Sequence, residues 1–283
     1  MLNADLIRFS AFSAVLVVMA LWESVAPRRI RSASRTTRWA GNLGVAALNT
    51  VAVRILFPIA ALGLALVAET RGFGLFNEIK PFRWCAIILS VALLDLVIYL
   101  QHVMFHAVPL LWRVHRMHHA DLDFDVTTGV RFHPIEIVIS MIIKLSAVAA
   151  LGPPATGVLA FEVLLNGTSM FNHSNVRIPA QMDCALRLLV VTPDMHRVHH
   201  SIVVDETNSN FGFNLSWWDR LLGTYRAQAA AGHDAMTIGI EQFRDLHELR
   251  LDRMLSQPFR GRVGDYPISH TGLDAESLTK ASR

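Results

Sequence analysis

Three histidine clusters carry most of the chemical potential of this sequence: His102-Val-Met-Phe-His106, His115-Arg-Met-His118-His119 and His196-Arg-Val-His199-His200. A single His173 sits in Phe171-Asn-His-Ser-Asn175. Of the 13 histidines in 283 residues, ten fall between His102 and His200. On a helix, positions i, i+3 and i+4 share a face, so each cluster offers two or three imidazoles on one side. Adjacent histidines diverge by about 100° around the axis. Such a pair serves one metal poorly and two neighbouring metals well, so an HxxHH helix suits a dinuclear site. Imidazole suits zinc, copper, iron and nickel and disfavours magnesium and calcium. The nine imidazoles of the clusters and His173 exceed what one tetrahedral zinc takes. Two metals with several nitrogens each and open positions match the count, and open positions are what O2 chemistry needs.

Each histidine also has a bland alternative. A lone buried histidine is ordinarily a hydrogen-bonded core residue. Several imidazoles crowded together without metal would leave buried polar groups unsatisfied. His133, in Arg131-Phe-His-Pro-Ile-Glu136, precedes Pro134 and an apolar run, so it reads as a helix-start residue or a contact behind the ligands. His233, His247 and His270 are isolated and read as surface residues.

These clusters need elements to position them. Hydrophobic residues make up 52 % of the chain and charged residues 17 %, with mean hydropathy +0.37. A soluble domain carries about a quarter charged residues. The deficit lies in the first 172 residues, so a membrane part precedes a water-facing part. Leu6–Val25, Asn42–Ala68 and Phe82–Leu100 each supply the roughly 20 apolar residues of a spanning helix. Leu6–Val25 reads as a retained span, since it lacks a basic start and a small-residue cleavage site. Ile135–Leu151 and Ala155–Phe171, joined by Gly-Pro-Pro, form a hairpin that either crosses fully or dips in as a shallow re-entrant. Lys144 and Glu162 lie inside it and are expected to pair or to face protein.

The loop Pro27–Trp39 carries Arg28, Arg29, Arg31, Arg35 and Arg38 and no acid, whereas Glu69–Lys80 is balanced. Positive-inside then places the first loop in the cytoplasm. Span parity puts all nine clustered histidines on that same side, whether or not the hairpin crosses. The expected fold is an all-α integral membrane helical bundle of three spans plus a hairpin of two short membrane helices. A cytosolic helical cap holds the histidine-rich dimetal site. The expected divisions are an N-terminal transmembrane region 1–94, a catalytic region 95–226 with the hairpin 135–172, and a cytosolic tail 227–283, which looks flexible after about Gly264.

Three further residues are candidates for catalysis. Asp95 lies about two turns before His102, with Tyr99 between. An intramembrane carboxylate is a functional candidate by default. Asp95 is expected to accept an imidazole N–H, the competing partner being Arg54. Asp194 precedes the third cluster and is expected to cap that helix or to orient a ligand, with capping favoured. Cys85 and Cys184 form no CxxC pair. The arginines are scattered, with no aromatic-basic patch for nucleic acid. Gly72-Phe-Gly is no dinucleotide fingerprint.

The ordered set His102xxxHis106, His115xxHis118His119, Arg131-Phe-His-Pro, Asn172-His-Ser-Asn175, His196xxHis199His200, Asn210-Phe-Gly-Phe and Trp218-Asp-Arg-Leu-Leu-Gly-Thr-Tyr225 resembles the fatty acid hydroxylase/sterol desaturase superfamily over roughly Asp95 to Tyr225. The resemblance implies a membrane-bound non-haem di-iron enzyme. Such enzymes hydroxylate or desaturate lipid C–H bonds with O2 and two externally supplied electrons. Carried onto this chain, it implies two irons held by His102, His106, His115, His118, His119, His173, His196, His199 and His200. Some members have a further histidine four residues before the one matching His173; here that position is Ser169. Some also have one more residue between the first two histidines. The implied partners are a lipid substrate from the bilayer and an electron donor such as a ferredoxin, a cytochrome b5-like protein or a reductase. The rivals are a histidine-rich metal transporter, with histidines spread along a pore, and a scaffold with structural zinc. The arginine-rich style points to a bacterial inner membrane, with the site on its cytoplasmic side.

Overall fold

The computed structural model describes residues 2–269, so His270 lies outside the described residues. Those residues are helices and loops, with only isolated bridges such as Val190 to Leu215 between extended segments. The long elements are α1 (Leu2–Val25), α2 (Arg35–Leu56), α3 (Ala61–Arg71), α4 (Leu75–Ile79), α5 (Arg83–Ala107), α6 (Pro109–His119), α7 (Pro134–Leu151) and α8 (Ala155–Asn172). Among the described residues, four stretches are long and apolar enough to cross a membrane: Ala4–Val25, Arg35–Ile79, Arg83–Ala107 and Pro134–Leu151. The outer faces of α1, α2 and α5 expose Phe9, Val17, Ile55, Ile88 and Leu100, as a lipid-facing surface does. The chain is an integral membrane protein.

The second expected span lies within the candidate stretch Arg35–Ile79, but it is broken. Asn42–Ala68 is not one helix: α2 stops at Leu56 and α3 starts at Ala61. Pro58 is the cause, since it has no N–H to donate and disfavours helical backbone at Phe57. The hairpin is longer than a shallow re-entrant. Its turn reaches α3 and α4, where Asn77 Nδ2 donates to Gly152 O at 3.2 Å and Glu69 accepts from Ala155 N at 3.3 Å. Gly152 lines one cleft with Arg83, the first residue of α5. Gly152 takes φ 58 and terminates α7, a backbone region that glycine enters without strain.

Inside the bundle, Ala61, Ala65, Leu94, Ile98, Val148, Val158 and Phe161 form the core between α3, α5, α7 and α8. The charges within the hairpin are paired: Lys144 Nζ is 3.6 Å and Arg8 Nη2 2.6 Å from Glu162. Prolines set the breaks that turn the chain toward the histidines. Pro109 opens α6 directly after α5, and Pro134 opens α7 behind His133. Beyond α8 come α9 (Ala180–Leu186) and α10 (Pro193–His199), the latter opened by Pro193 and capped by Thr192.

Candidate metal centre

The first cluster lies on the last two turns of α5, the second on α6 and the third on α10, with His173 capping the end of α8. All nine imidazoles are buried, none more than 3 % exposed. They converge as two groups: His102, His106, His115, His119 and His199 in one, and His118, His173, His196 and His200 in the other. Within each group the ligand nitrogens lie within 4.8 Å of one another. Trans nitrogens around a first-row metal lie ~4.2 Å apart, twice a bond of about 2.1 Å, so each group is close to the size of one coordination sphere. His118 and His119 fall in different groups, as do His199 and His200. Their divergence around the helix axis accounts for the split.

The hydrogen bonds show which nitrogen faces inward. Nδ1 of His102, His118, His173 and His199 donates to the carbonyl oxygens of Phe211, Arg131, Ser169 and Ser209, at 2.8, 3.2, 2.7 and 2.7 Å. His106 Nδ1 donates to Asn208 Oδ1 at 3.1 Å and His115 Nδ1 to Glu136 Oε1 at 2.7 Å. A neutral imidazole whose Nδ1 carries the proton presents a bare lone pair at Nε2. The Nε2 atoms of these six, and of His119, His196 and His200, whose buried Nδ1 atoms have no partner among the described residues, face one another at 3.1–3.2 Å, and every such contact stays within one group. Two lone pairs at that distance repel, and a cation at the point of convergence removes the repulsion. The donor set therefore fits a metal in each group. Its all-imidazole chemistry suits iron as well as zinc or copper. Burial pushes His118, His119, His196, His199 and His200 well below the ordinary imidazole range, and His173 down to about 3. They are neutral at pH 7, which is the ligating form.

Ser169 does not face either group. Its hydroxyl donates to Gly129 O at 2.8 Å while its carbonyl holds His173. The packing there needs glycine, because a Cβ on Gly129 would lie 2.5 Å from Ser169 O. His133 caps α7 by accepting from Ile135 N at 3.1 Å and joins neither group.

The three candidate catalytic residues lie apart from both groups. Asp95 does not meet an imidazole: it accepts from Asn214 N at 3.2 Å, Leu215 N at 3.1 Å and Trp218 Nε1 at 2.9 Å. A buried carboxylate takes the nearest unpaired backbone donors, here those of the chain returning past α5. Arg54 is not its partner either and is exposed on α2. Tyr99 Oη pairs with Thr224 Oγ1 at 2.7 Å. Asp194 is not the cap of α10, a role Thr192 takes by accepting from Met195 N. It pairs instead with Arg197 and, at 3.2 Å, with Arg28. Its neighbour His233 is buried 3.8 Å away, not on the surface, because the 229–238 segment folds onto α10.

Residues that position the ligands were largely missed. Glu136 is the carboxylate that orients an imidazole, and an acid in the first turn of an apolar helix was its only trace. Arg38, buried at the start of α2, binds Asp121 at 2.7 and 2.9 Å and also pairs with Asp125. Asn42 Oδ1 accepts from Arg131, whose carbonyl holds His118. The Arg-rich loop and the histidines are thus on one side of the membrane bundle.

An all-helical membrane bundle with two polyhistidine groups at one end defines the class of protein. The fatty acid hydroxylase family model matches residues 87–224, a stretch that holds all nine histidines. Over this stretch, just under half of the chain, the match supports the fatty acid hydroxylase superfamily. It is 30 % identical over 177 residues to ornithine lipid hydroxylase OlsE of Rhizobium tropici, covering 62 % of this chain and 51 % of that protein. It is 29 % identical over 154 residues to the alkylglycerol monooxygenase of Homo sapiens, covering 53 % and 32 %. The chain thus spans about half or less of the curated relatives it matches. No solved structure matches it.

Proposed function

We propose that this chain is a membrane-bound non-haem di-iron oxygenase that hydroxylates a lipid C–H bond with O2 and electrons from a partner protein. The observation that carries the reading is the pair of buried imidazole groups with their Nε2 lone pairs turned inward. The relatives, a lipid hydroxylase and an alkylglycerol monooxygenase by name, support the reaction class. Two bound irons would supply O2 activation and attack on an unactivated C–H bond.

The chain's own residues do the rest. The Nδ1–H bonds fix ring orientation, and Glu136 raises the basicity of His115. An aromatic shell keeps water out: Phe132 stacks on His118 at 4.4 Å, and Trp112 and Phe213 lie 4.9 and 5.1 Å from His106 and His102. Phe213 also belongs to the bundle core with Leu94, Ile98 and Phe161, so the centre adjoins the hydrocarbon side. A lipid chain therefore reaches it from the bilayer. The arginines of the first loop favour the cytoplasmic face, where an electron donor such as a ferredoxin, a cytochrome b5-like protein or a reductase has access.

A transporter would distribute histidines along a path, and structural zinc would need only four. Here nine converge in one closed place. The test is metal analysis of the purified protein with mass spectrometry of lipid product formed under labelled O2. Two irons per chain and one labelled oxygen in the lipid are expected. One zinc per chain with no iron dependence overturns the reading. His118→Ala is expected to abolish oxidation while the protein still inserts.

A further inference from the structure

The segment after α9 and the chain returning from α10 together carry an apolar surface that no part of the described cap covers. Leu186, Leu188, Leu189, Trp217, Leu221 and Leu222 are all exposed, with Leu188 at 63 % and Leu221 at 73 %. They form one surface because two segments are tied together. Val190 bridges Leu215, Trp217 Nε1 donates to Leu188 O at 2.7 Å, and Ser216 Oγ donates to Arg187 O at 2.7 Å. A water-facing cap does not ordinarily leave six large apolar side chains together in solvent.

The depth of this surface is fixed by its anchors. Asn214, Leu215 and Trp218 are hydrogen-bonded to Asp95. Asp95 lies about five residues, ~7.5 Å of helix rise, on the membrane side of Leu100, where the apolar run of α5 ends. Asn214 also bonds Thr168 on α8, one turn from lipid-facing Leu164. The surface is therefore continuous with the apolar belt of α5 and α8 and not part of the cap's far side. Arg220 stands at its rim, exposed and stacked 4.0 Å over Tyr225, where a cation meets the headgroups.

We propose that residues 186–189 and 217–222 form a second membrane-contacting surface, sunk among the acyl chains of the leaflet on the histidine side. The chain that leads directly into 217–222 holds the site: Phe211 O orients His102, and the Phe213 ring packs against it. Seating in the lipid then fixes the wall of the centre past which an acyl chain approaches. This inference rests on the spanning of α5 and not on the reaction proposed above.

The test uses the full chain in phosphatidylcholine nanodiscs with Cys85→Ala and Cys184→Ser. Single cysteines at Leu188, Leu221, Ile88 and Asp252 carry an environment-sensitive fluorophore. Ile88 reports the lipid face of α5, and Asp252 reports exposed cap. Labels at 188 and 221 are expected to lose about half their emission to lipids bearing a doxyl group high on the chain, as the label at 88 does, and to ignore aqueous iodide. Iodide quenching like that at 252 overturns the proposal. Shielding from both quenchers also overturns it and assigns the surface to a protein partner. Unsubstituted protein photolysed with a diazirine-bearing phosphatidylcholine is expected to be marked within 186–189 and 217–222, and marking confined to the long helices refutes it.

Discussion

Glu136 offers a way to perturb one metal group and leave the other alone. Its Oε1 takes the Nδ1–H of His115 at 2.7 Å, and His115 belongs to the five-nitrogen group. Glu136→Gln keeps an oxygen acceptor of the same size and removes the charge. A neutral hydrogen bond contributes ~1 kcal/mol net, and a charged one is about twice as strong. The substitution therefore costs ~1–1.5 kcal/mol of His115 basicity toward metal, or about tenfold in affinity. Glu136→Ala removes the acceptor and is expected to reach ~100-fold, the upper range for residues that orient metal ligands. The assay is chelator competition on protein in nanodiscs, with metal counted by mass spectrometry. Release from wild type is expected in two steps, and Glu136→Gln is expected to shift one step by about tenfold. If both steps move together, or neither moves, the assignment of Glu136 to a single group is wrong. The stripped protein serves as a control: the weakened bond to His115 and the loss of a charge at the start of α7 are expected to lower its stability by ~1–2 kcal/mol.

Asp95→Asn sets an amide against two backbone donors and is expected to cost ~1.5–3 kcal/mol in thermal unfolding, with both metal-release steps unmoved; a shifted release step would restore Asp95 as a residue that orients a ligand imidazole. Arg38→Met leaves Asp121 and Asp125 buried without their cation and is expected to cost ~3–5 kcal/mol. Adding Asp121→Asn is expected to recover part of it, and an Arg38→Met protein as stable as one with Arg253→Met would contradict the network. Acid acts through the histidines: His173 is pushed down to about 3 in the folded state, and the others named above lie well below the ordinary range. The unfolded chain takes up these protons near pH 6.5 and the folded chain does not, so the stability of the stripped protein is full above pH 6.5 and falls as pH drops toward 3. A melting temperature flat from pH 7 to pH 5 would show that the imidazoles are not buried neutral.

Helix class and the gathering of the histidines were legible because each rests on a local rule. Apolar runs report spans, and HxxHH reports one face of a helix. What was not legible depends on chain segments distant in sequence. Pro58 sits inside a run whose composition reads as one span, and the break is visible only once α3 is seen packed on α7 and α8. Asp95 has the address of a ligand-orienting carboxylate, two turns from His102. Its donors come from more than a hundred residues away, and no periodicity announces them.

The first loop shows why charge counting and structure can agree on a side while assigning the charges different tasks. In the sequence, Arg28, Arg35 and Arg38 read as topological signals. In the fold, Arg38 is fully buried against Asp121 and Asp125, and Arg28 binds Asp194 beside the third cluster. The matched family segment begins at residue 87, so Arg38 and Asn42 lie outside it and yet hold the loop that orients His118. The N-terminal helices are therefore more than an anchor. A chain cut before residue 87 would keep every imidazole and lose Arg38 and Asn42, leaving Asp121 without its cation and Arg131 without its acceptor at Asn42. Buried polar groups left in that state are what a metal-ligand loop cannot tolerate, since an uncompensated charge beside the ligands costs more than a single hydrogen bond returns.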